Sequence, residues 1–353
     1  MSLPQSDGLP VSRLAGAFSN TSATYKFYWL LAIIEQVEEG RTTISKKDLF
    51  ARVIANAWYT VNYFKVSFGR QDLIQQAVKS ILQDEGLTID IKKSELLHRL
   101  ENSQKKATQQ NLWHFNKNVP HWFLSPWFVK TAGESDSNYK SRIYSSSGHF
   151  ENDCLYALHE EHIAVNPNWI DYLKGNAKIL KDYIYWNLTL FLQVRNPNVP
   201  DIANKLIRPP FRGSLANQRK NYWDIVFREL GTLECIFTNT ALEVEHYALD
   251  HFVPHAFVSH DLLWNLLPID KSFNSKKSDR LPSLELHYDS FFNLQKKAFE
   301  IISHHNPKNI LLQDYLTVFP DLFISKNFDY HKLKENIQPL IAIAHNNGFL
   351  YLY

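Results

Sequence analysis

Apolar residues recur at helical spacing through the first third of the chain. The run from Phe27 to Ile34, with Val37 beyond it, predicts a helix over 25–39, with Asn20, Thr21 and Ser22 as caps ahead and Gly40 closing it. Ser45, with Asp48 in the following turn, opens a second helix that reaches about 63. Over 71–84, Leu73, Ile74, Ala77, Val78, Ile81 and Leu82 share one helical face, and Gly86 ends the segment. A fourth, short helix fits 94–101. Residues 20–103 therefore read as a helical unit.

The period is then lost. Residues 104–150 mix Trp, His, Asn and Pro before turning rich in Ser and Gly, and read as a loop or exposed connection. Helical spacing returns over 151–195, with 169–195 the longest segment. Four prolines (Pro197, Pro200, Pro209, Pro210) break it, and the chain to 227 reads as irregular. It is also locally basic: Lys205, Arg208, Arg212, Arg219 and Lys220 face only Asp201 and Asp224 as acids. Residues 235–237 and 245–249 are short β-prone runs with Thr238, Asn239 and Thr240 as turn residues after the first. A third apolar run covers 266–269, and a helix can start at about 271, so a hairpin followed by a helix is expected here. Helices over 284–304 and 330–345, with Pro320 between them and Gly348 behind, complete the pattern. No internal repeat is evident. The fold class expected is α+β and mainly α-helical.

Composition narrows the classes. The two cysteines, Cys154 and Cys235, are far apart and form no Cys-x-x-Cys, which excludes a disulfide framework and a cysteine-based zinc site. That usage suits a reducing cytosol. The opening MSLPQSDGLP lacks the basic and apolar regions of a signal peptide, and no apolar run is long enough to span a bilayer. A cytoplasmic protein with no membrane partner is expected. The net charge of +2 gives no bulk argument for nucleic-acid binding, so any such argument must come from local patches. Aromatics make up 14% of the residues, and the cluster over 113–128 suits a core first and base stacking second.

The chemistry concentrates between 234 and 282. Asp250 and His251 are adjacent, Pro254 follows, Asn265-Leu266-Leu267-Pro268 comes next, then Asn274, and the segment ends Lys277-Ser278-Asp279-Arg280-Leu281-Pro282. This combination resembles the HNH (ββα-metal) nuclease motif, with spacings similar to those in the HNH domain of type II CRISPR effector nucleases. The third signature position is Asn274, which makes it the HNN variant. The resemblance covers about fifty residues and needs unlike residue types at fixed offsets together. It implies His251 as general base, because an imidazole titrates near neutral pH and can take a proton from water. It implies Asp250 and Asn274 as oxygen ligands of a divalent cation, Mg²⁺ or Mn²⁺. Asn265 counts with the catalytic set in a structural role, its amide tying the loop that positions His251. Lys277, with Lys276 and Arg280, would reach phosphate, as would Arg208 and Arg212 in the basic stretch. Plainer readings stand beside these: Asp250 as a turn cap, Asn274 as a helix cap, and the basic stretch as a solvated connection. Many HNH proteins also carry cysteine pairs around the motif that hold a structural zinc. Here Thr238 stands where the first pair would close, so no structural zinc is expected.

Outside the motif, 19–33 and 195–206 look like segments of bacterial HNH-domain proteins with a helical N-terminal region. The organisation expected is a leader (1–20), a helical domain (21–150, with a polar connection at 131–150), a helical linker with the basic stretch (151–230), and a ββα-metal nuclease domain flanked by C-terminal helices (231–353). The reading that follows is a metal-dependent endonuclease acting on duplex DNA. Its alternatives are an RNA-cleaving HNH nuclease and a non-catalytic nucleic-acid-binding or adaptor protein, the last disfavoured because Asp250, His251 and Asn274 are all intact. Phage defence, restriction or a mobile element suits such a chain. The helical domain would recognise a target, bind a defence-system partner or make a homo-oligomer, and fold analogy does not choose among these.

Overall fold

The computed structural model describes residues 2–208, 213–244 and 246–352. Arg212, from the basic stretch, and Glu245, at the head of an expected strand, lie outside them. The chain forms two units: one holds residues up to 197 with 202–208, the other 198–201 with residues from 213 onward.

The first unit is built around the helix Tyr25–Glu38, which is buried almost all round, from Phe27 to Ile34 and again at Val37. Helices Lys46–Asn62, Leu73–Glu85 and Lys93–Asn102 follow it in its N-terminal part. Their starts are set by side chains: Ser45 accepts from the Lys47 N–H at 3.1 Å, and Asp72 accepts from the Ile74 N–H at 3.0 Å. The same Asp72 carboxylate takes the Thr24 N–H and hydroxyl at 2.6 and 2.7 Å, which ties two helix starts together. Gly86 ends its helix at φ 64°, a left-handed conformation glycine adopts without strain.

Three stretches of this unit differ from the sequence reading. The expected leader up to residue 20 holds helix Val11–Gly16, with Val11, Leu14 and Ala17 in the core. Residues 151–195 are not helical throughout. Strand β1 (Thr43–Ser45) and strands β2 (Tyr156–Leu158) and β3 (His162–Val165) form an antiparallel sheet ordered β1-β3-β2. Ile44 and Leu158 both face Ile163 in that register. Helix resumes at Pro167–Gly175 behind the Asn166 cap, and continues as Ala177–Arg195. Because β3 pairs with β1, residues on both sides of position 150 belong to one unit, and no domain boundary falls there. Residues 104–150, read as a connection, contain helices Lys106–Trp113, Val119–Phe123 and Asp136–Ser146. Lys106–Trp113 and Asp136–Ser146 are polar and bury only a pair of residues each, Thr108 with Leu112 and Tyr139 with Ile143, so their period is faint in the sequence. Of the aromatic cluster, Phe115, Phe123, Trp127 and Phe128 are core residues.

In the second unit, β4 (Leu233–Glu234) pairs with β5 (Ala241–Leu242), and β6 (Tyr247–His251) pairs antiparallel with β7 (Leu266–Asp270). The run 235–237 is turn rather than strand: Asn239 sits at φ 55° and donates its N–H to the Cys235 carbonyl at 2.8 Å. Phe237 in that turn stacks on Phe273 at 5.3 Å and meets His287 edge-on at 4.9 Å, so aromatic packing secures the turn. Backbone expected to be irregular before 227 instead winds through a π-helical turn, Arg219–Trp223, into helix Asp224–Leu230. Tyr222, Trp223, Val226 and Phe227 are buried there, which gives that helix its core-facing side. Helices Leu284–His305 and Tyr330–Asn346 complete the unit. After the second, Leu281 and Tyr351 form a parallel bridge, with N–H bonds from Leu281 to Leu350 and from Leu352 to Leu281. No helix among the described residues is long and apolar enough to cross a membrane.

Candidate active site

Strand β6 delivers Asp250 and His251 at its end, opposite Leu267 and Leu266 of β7. Alternation along a strand sends these neighbours to opposite faces. The ladder continues one step further, with the Phe252 N–H on the Asn265 carbonyl at 2.7 Å. Beyond it the Asn265 side chain takes over the role of a strand. Its Oδ1 accepts from the Val253 N–H at 2.8 Å and its Nδ2 donates to the Val253 carbonyl at 2.9 Å. Asn265 is fully buried, so both bonds sit where water cannot replace them. They fix the exit of β6 and with it the His251 ring.

The chain then makes a short helix, His255–Val258, turns through Ser259 in a left-handed conformation, and brings back Asp261. The Asp261 carboxylate lies 2.9 Å from His251 Nε2. The other ring nitrogen, Nδ1, is buried without a hydrogen-bond partner and lies 3.9 Å from Asp250 Oδ1, too far for a hydrogen bond. Since a carboxylate only accepts, the Asp261 contact places the proton of the neutral ring on Nε2 and leaves its Nδ1 lone pair open. The ring is 2% exposed. Burial pulls the imidazole pKa down, but Asp250 and Asp261 outweigh it and raise it above its ordinary value.

Helix Lys271–Lys277 packs on β6 and β7. Asp270 caps it, accepting from the Phe273 N–H at 2.8 Å, so Asn274 is not the cap. Asn274 is half-buried inside the helix, and its amide has no hydrogen-bond partner among the described residues. One turn on, Lys277 is fully buried, its ammonium donating to Asp250 Oδ2 and to the His251 carbonyl, both at 2.8 Å. Sequence spacing pointed Lys277 at a phosphate; the structure aims it inward because the buried Asp250 carboxylate needs a counter-charge. Burial raises the Asp250 carboxyl pKa, and His251 and Lys277 more than offset this, holding it at about 2. Asp250 is therefore an ionised carboxylate, 9% exposed, with Oδ2 taken and Oδ1 beside the bare imidazole nitrogen.

Of the remaining sequence candidates, Lys276 and Arg280 are exposed. Arg208 belongs to the first unit, where its guanidinium donates to the Asp90 and Ile91 carbonyls at 3.0 and 3.1 Å and lies over the Tyr59 ring. The sequence reading did not include Asp261. Nothing in the local period marks it; an acid following a histidine in a loop is its only trace. It also passed over the buried chain behind β7, in which Tyr222 and Tyr315 share a hydrogen bond at 2.8 Å, Tyr315 donates to Gln295 Oε1 at 2.6 Å, and Gln295 donates to the Leu266 carbonyl at 2.7 Å.

The donor set suits a hard divalent cation. Asp250 offers a carboxylate oxygen and Asn274 an unpartnered amide oxygen, the sparse oxygen ligation that Mg²⁺ or Mn²⁺ completes with water and phosphate. No group of three or more His, Cys, Asp or Glu side chains among the described residues forms a self-sufficient metal cage. The arrangement thus offers a bare imidazole lone pair beside an anionic oxygen, which is the equipment of proton abstraction next to a bound cation.

Residues 235–283 match the family model described as HNH endonuclease. No curated protein and no solved structure matches the chain. The segment is an HNH endonuclease domain and the chain carries a nuclease, a phosphodiester hydrolase of a family that depends on divalent metal and acts on nucleic acid.

Proposed function

We propose that the chain is a metal-dependent DNA endonuclease of the HNN type, in which His251 is the general base and Asp250 and Asn274 hold the cation. The observation that carries this is the pairing of the His251 nitrogens. Nε2 is held by Asp261, and Nδ1 is left bare beside Asp250. His251 takes the proton of the attacking water at Nδ1, and Asp261 stabilises the imidazolium that forms. Asn265 holds the loop so that the ring keeps its angle through the step. Lys277 keeps Asp250 ionised, hence able to ligate. Asp250 and Asn274 would hold a divalent ion, which would supply charge neutralisation for the scissile phosphate and the departing oxygen. The exposed Lys276 and Arg280 contact flanking phosphates, which position the strand without reading its sequence.

The test is cleavage of supercoiled plasmid, single-stranded DNA and RNA with Mg²⁺, Mn²⁺ or EDTA. Metal-dependent nicking or linearisation of plasmid is expected, lost in His251→Ala, with the metal titration of Asp250→Ala displaced to higher concentration. Plasmid cleavage that persists in His251→Ala removes that residue from the base role. Cleavage confined to RNA replaces the DNA reading with the RNA one.

A further inference from the structure

The first unit carries a groove of about 640 Å³ formed against helix Lys106–Trp113. Lys106, Gln109, Gln110 and Trp113 follow one another at the spacing of a single helical face and all line it. Lys117 from the next turn and Lys140 from helix Asp136–Ser146 add two more ammonium groups. No carboxylate lines this groove. Lys106, Lys117 and Lys140 form no ion pair with a described residue, so three lysines border the groove without a paired carboxylate. On a chain whose net charge is only +2, that is a local concentration, not a general excess.

Two further features point to the ligand. Trp113 is seated by the buried Phe50, which it meets almost perpendicularly at 5.9 Å, yet it stays 38% exposed. A large aromatic held in place while open to solvent is a stacking platform. The Asn116 side-chain oxygen is buried with no hydrogen-bond partner, and Asn116 lines this groove and the adjoining one. The adjoining groove, about 630 Å³, shares Trp113, Asn116 and Lys140, and is otherwise lined by hydroxyls of Ser137, Ser141, Tyr144 and Ser145 and by Glu160 and Glu161. Cations alone would suit any polyanion. Cations beside a seated indole, amides that both donate and accept, and an unmet acceptor suit an unpaired nucleotide.

We infer that the groove at Trp113 binds single-stranded nucleic acid, a base stacking on Trp113 and meeting the amides of Gln109, Gln110 and Asn116 while Lys106, Lys117 and Lys140 take the flanking phosphates. This site is in a different unit from His251 and does not depend on cleavage. It gives the helical region a role as a strand-holding module.

The experiment is fluorescence anisotropy of labelled single-stranded DNA and RNA oligonucleotides with the full chain in EDTA, over a series of salt concentrations. Trp113→Ala is expected to weaken binding at least about fivefold, with Trp113→Phe restoring most of it. The combined Lys106→Ala, Lys117→Ala and Lys140→Ala variant is expected to flatten the slope of log K against log salt by about 2. His251→Ala is expected to change neither. A preference between the DNA and RNA oligonucleotides identifies which strand the groove takes. Parent-like affinity and salt slope in both groove variants overturn the proposal, as does a triple-lysine effect that heparin reproduces while Trp113→Ala has none. If binding moves as expected but none of plasmid, single-stranded DNA and RNA is cut, the groove stands and the nuclease reading of His251 fails; the converse pattern fails the groove alone.

Discussion

His251 has one nitrogen with a partner and one without, and most of the site follows from that asymmetry. Without Asp261 the ring would have no acceptor to hold its proton on Nε2. Asp261→Ala is therefore expected to lower the single-turnover cleavage rate about 10- to 100-fold while the denaturation midpoint stays close to the parent's. A parent-like rate would show that Asp261 orients nothing. Lys277 is the other residue whose contacts define the site. Lys277→Met leaves the Asp250 carboxylate buried without a cation, and is expected to destabilise the second unit by about 3–5 kcal/mol in denaturant unfolding followed by circular dichroism. The pH dependence has a definite sign. The Asp250 carboxyl is held at about 2 against an ordinary 3.8, so the pair's contribution is present above about pH 3.8 and fades as pH falls through about 2. The gap between parent and variant should be full at neutral pH and narrow in that window. The strand end that carries Asp250 and His251, the loop tie made by Asn265 and the short helix that carries Asn274 were legible in the sequence from apolar runs, turn residues and fixed offsets. Asp261 and the inward turn of Lys277 were not: each is a contact made by the fold, through a left-handed Ser259 in one case and a buried helix end in the other.

At the scale of elements, the hairpin and its helix could be read from short apolar runs and turn residues, displaced by a residue or two. Among the described residues β6 covers Tyr247–His251 where the expected run ended at 249, and the expected strand at 235–237 is a turn between β4 and β5. The sheet of the first unit could not be read, because β1 finds its partner β3 more than a hundred residues later and no local pattern encodes that pairing. Helix Lys271–Lys277 is only two turns long, so its cap matters more than in a long helix. Asp270→Ala is expected to cost about 1 kcal/mol. Because the helix carries both Asn274 and Lys277, the cleavage rate at saturating metal should fall further than that stability loss alone implies. A rate unchanged at temperatures where the variant is fully folded would show that the cap serves stability only.

At the scale of the whole molecule, each unit has its own hydrophobic core, and among the described residues no cluster of metal-binding side chains stands in either. Chelation should therefore leave the fold intact. The melting temperature in EDTA is expected to lie within about 2 °C of that in millimolar Mg²⁺, a shift of less than about 1 kcal/mol for units of this size. A large drop, of the kind seen when a structural zinc is stripped, would contradict this.

Lys277 also sets the terms on which the site accepts its reagents. If Asp250 ligates the cation as proposed, its carboxylate already faces one positive charge before a divalent ion arrives, which weakens its pull on that ion. A phosphate brought to the same place restores the missing negative charge. Metal and strand should then each bind weakly alone and tighten one another by the same factor. In that case the enzyme at rest does not hoard its cofactor: it assembles a competent centre only where nucleic acid is present to complete it.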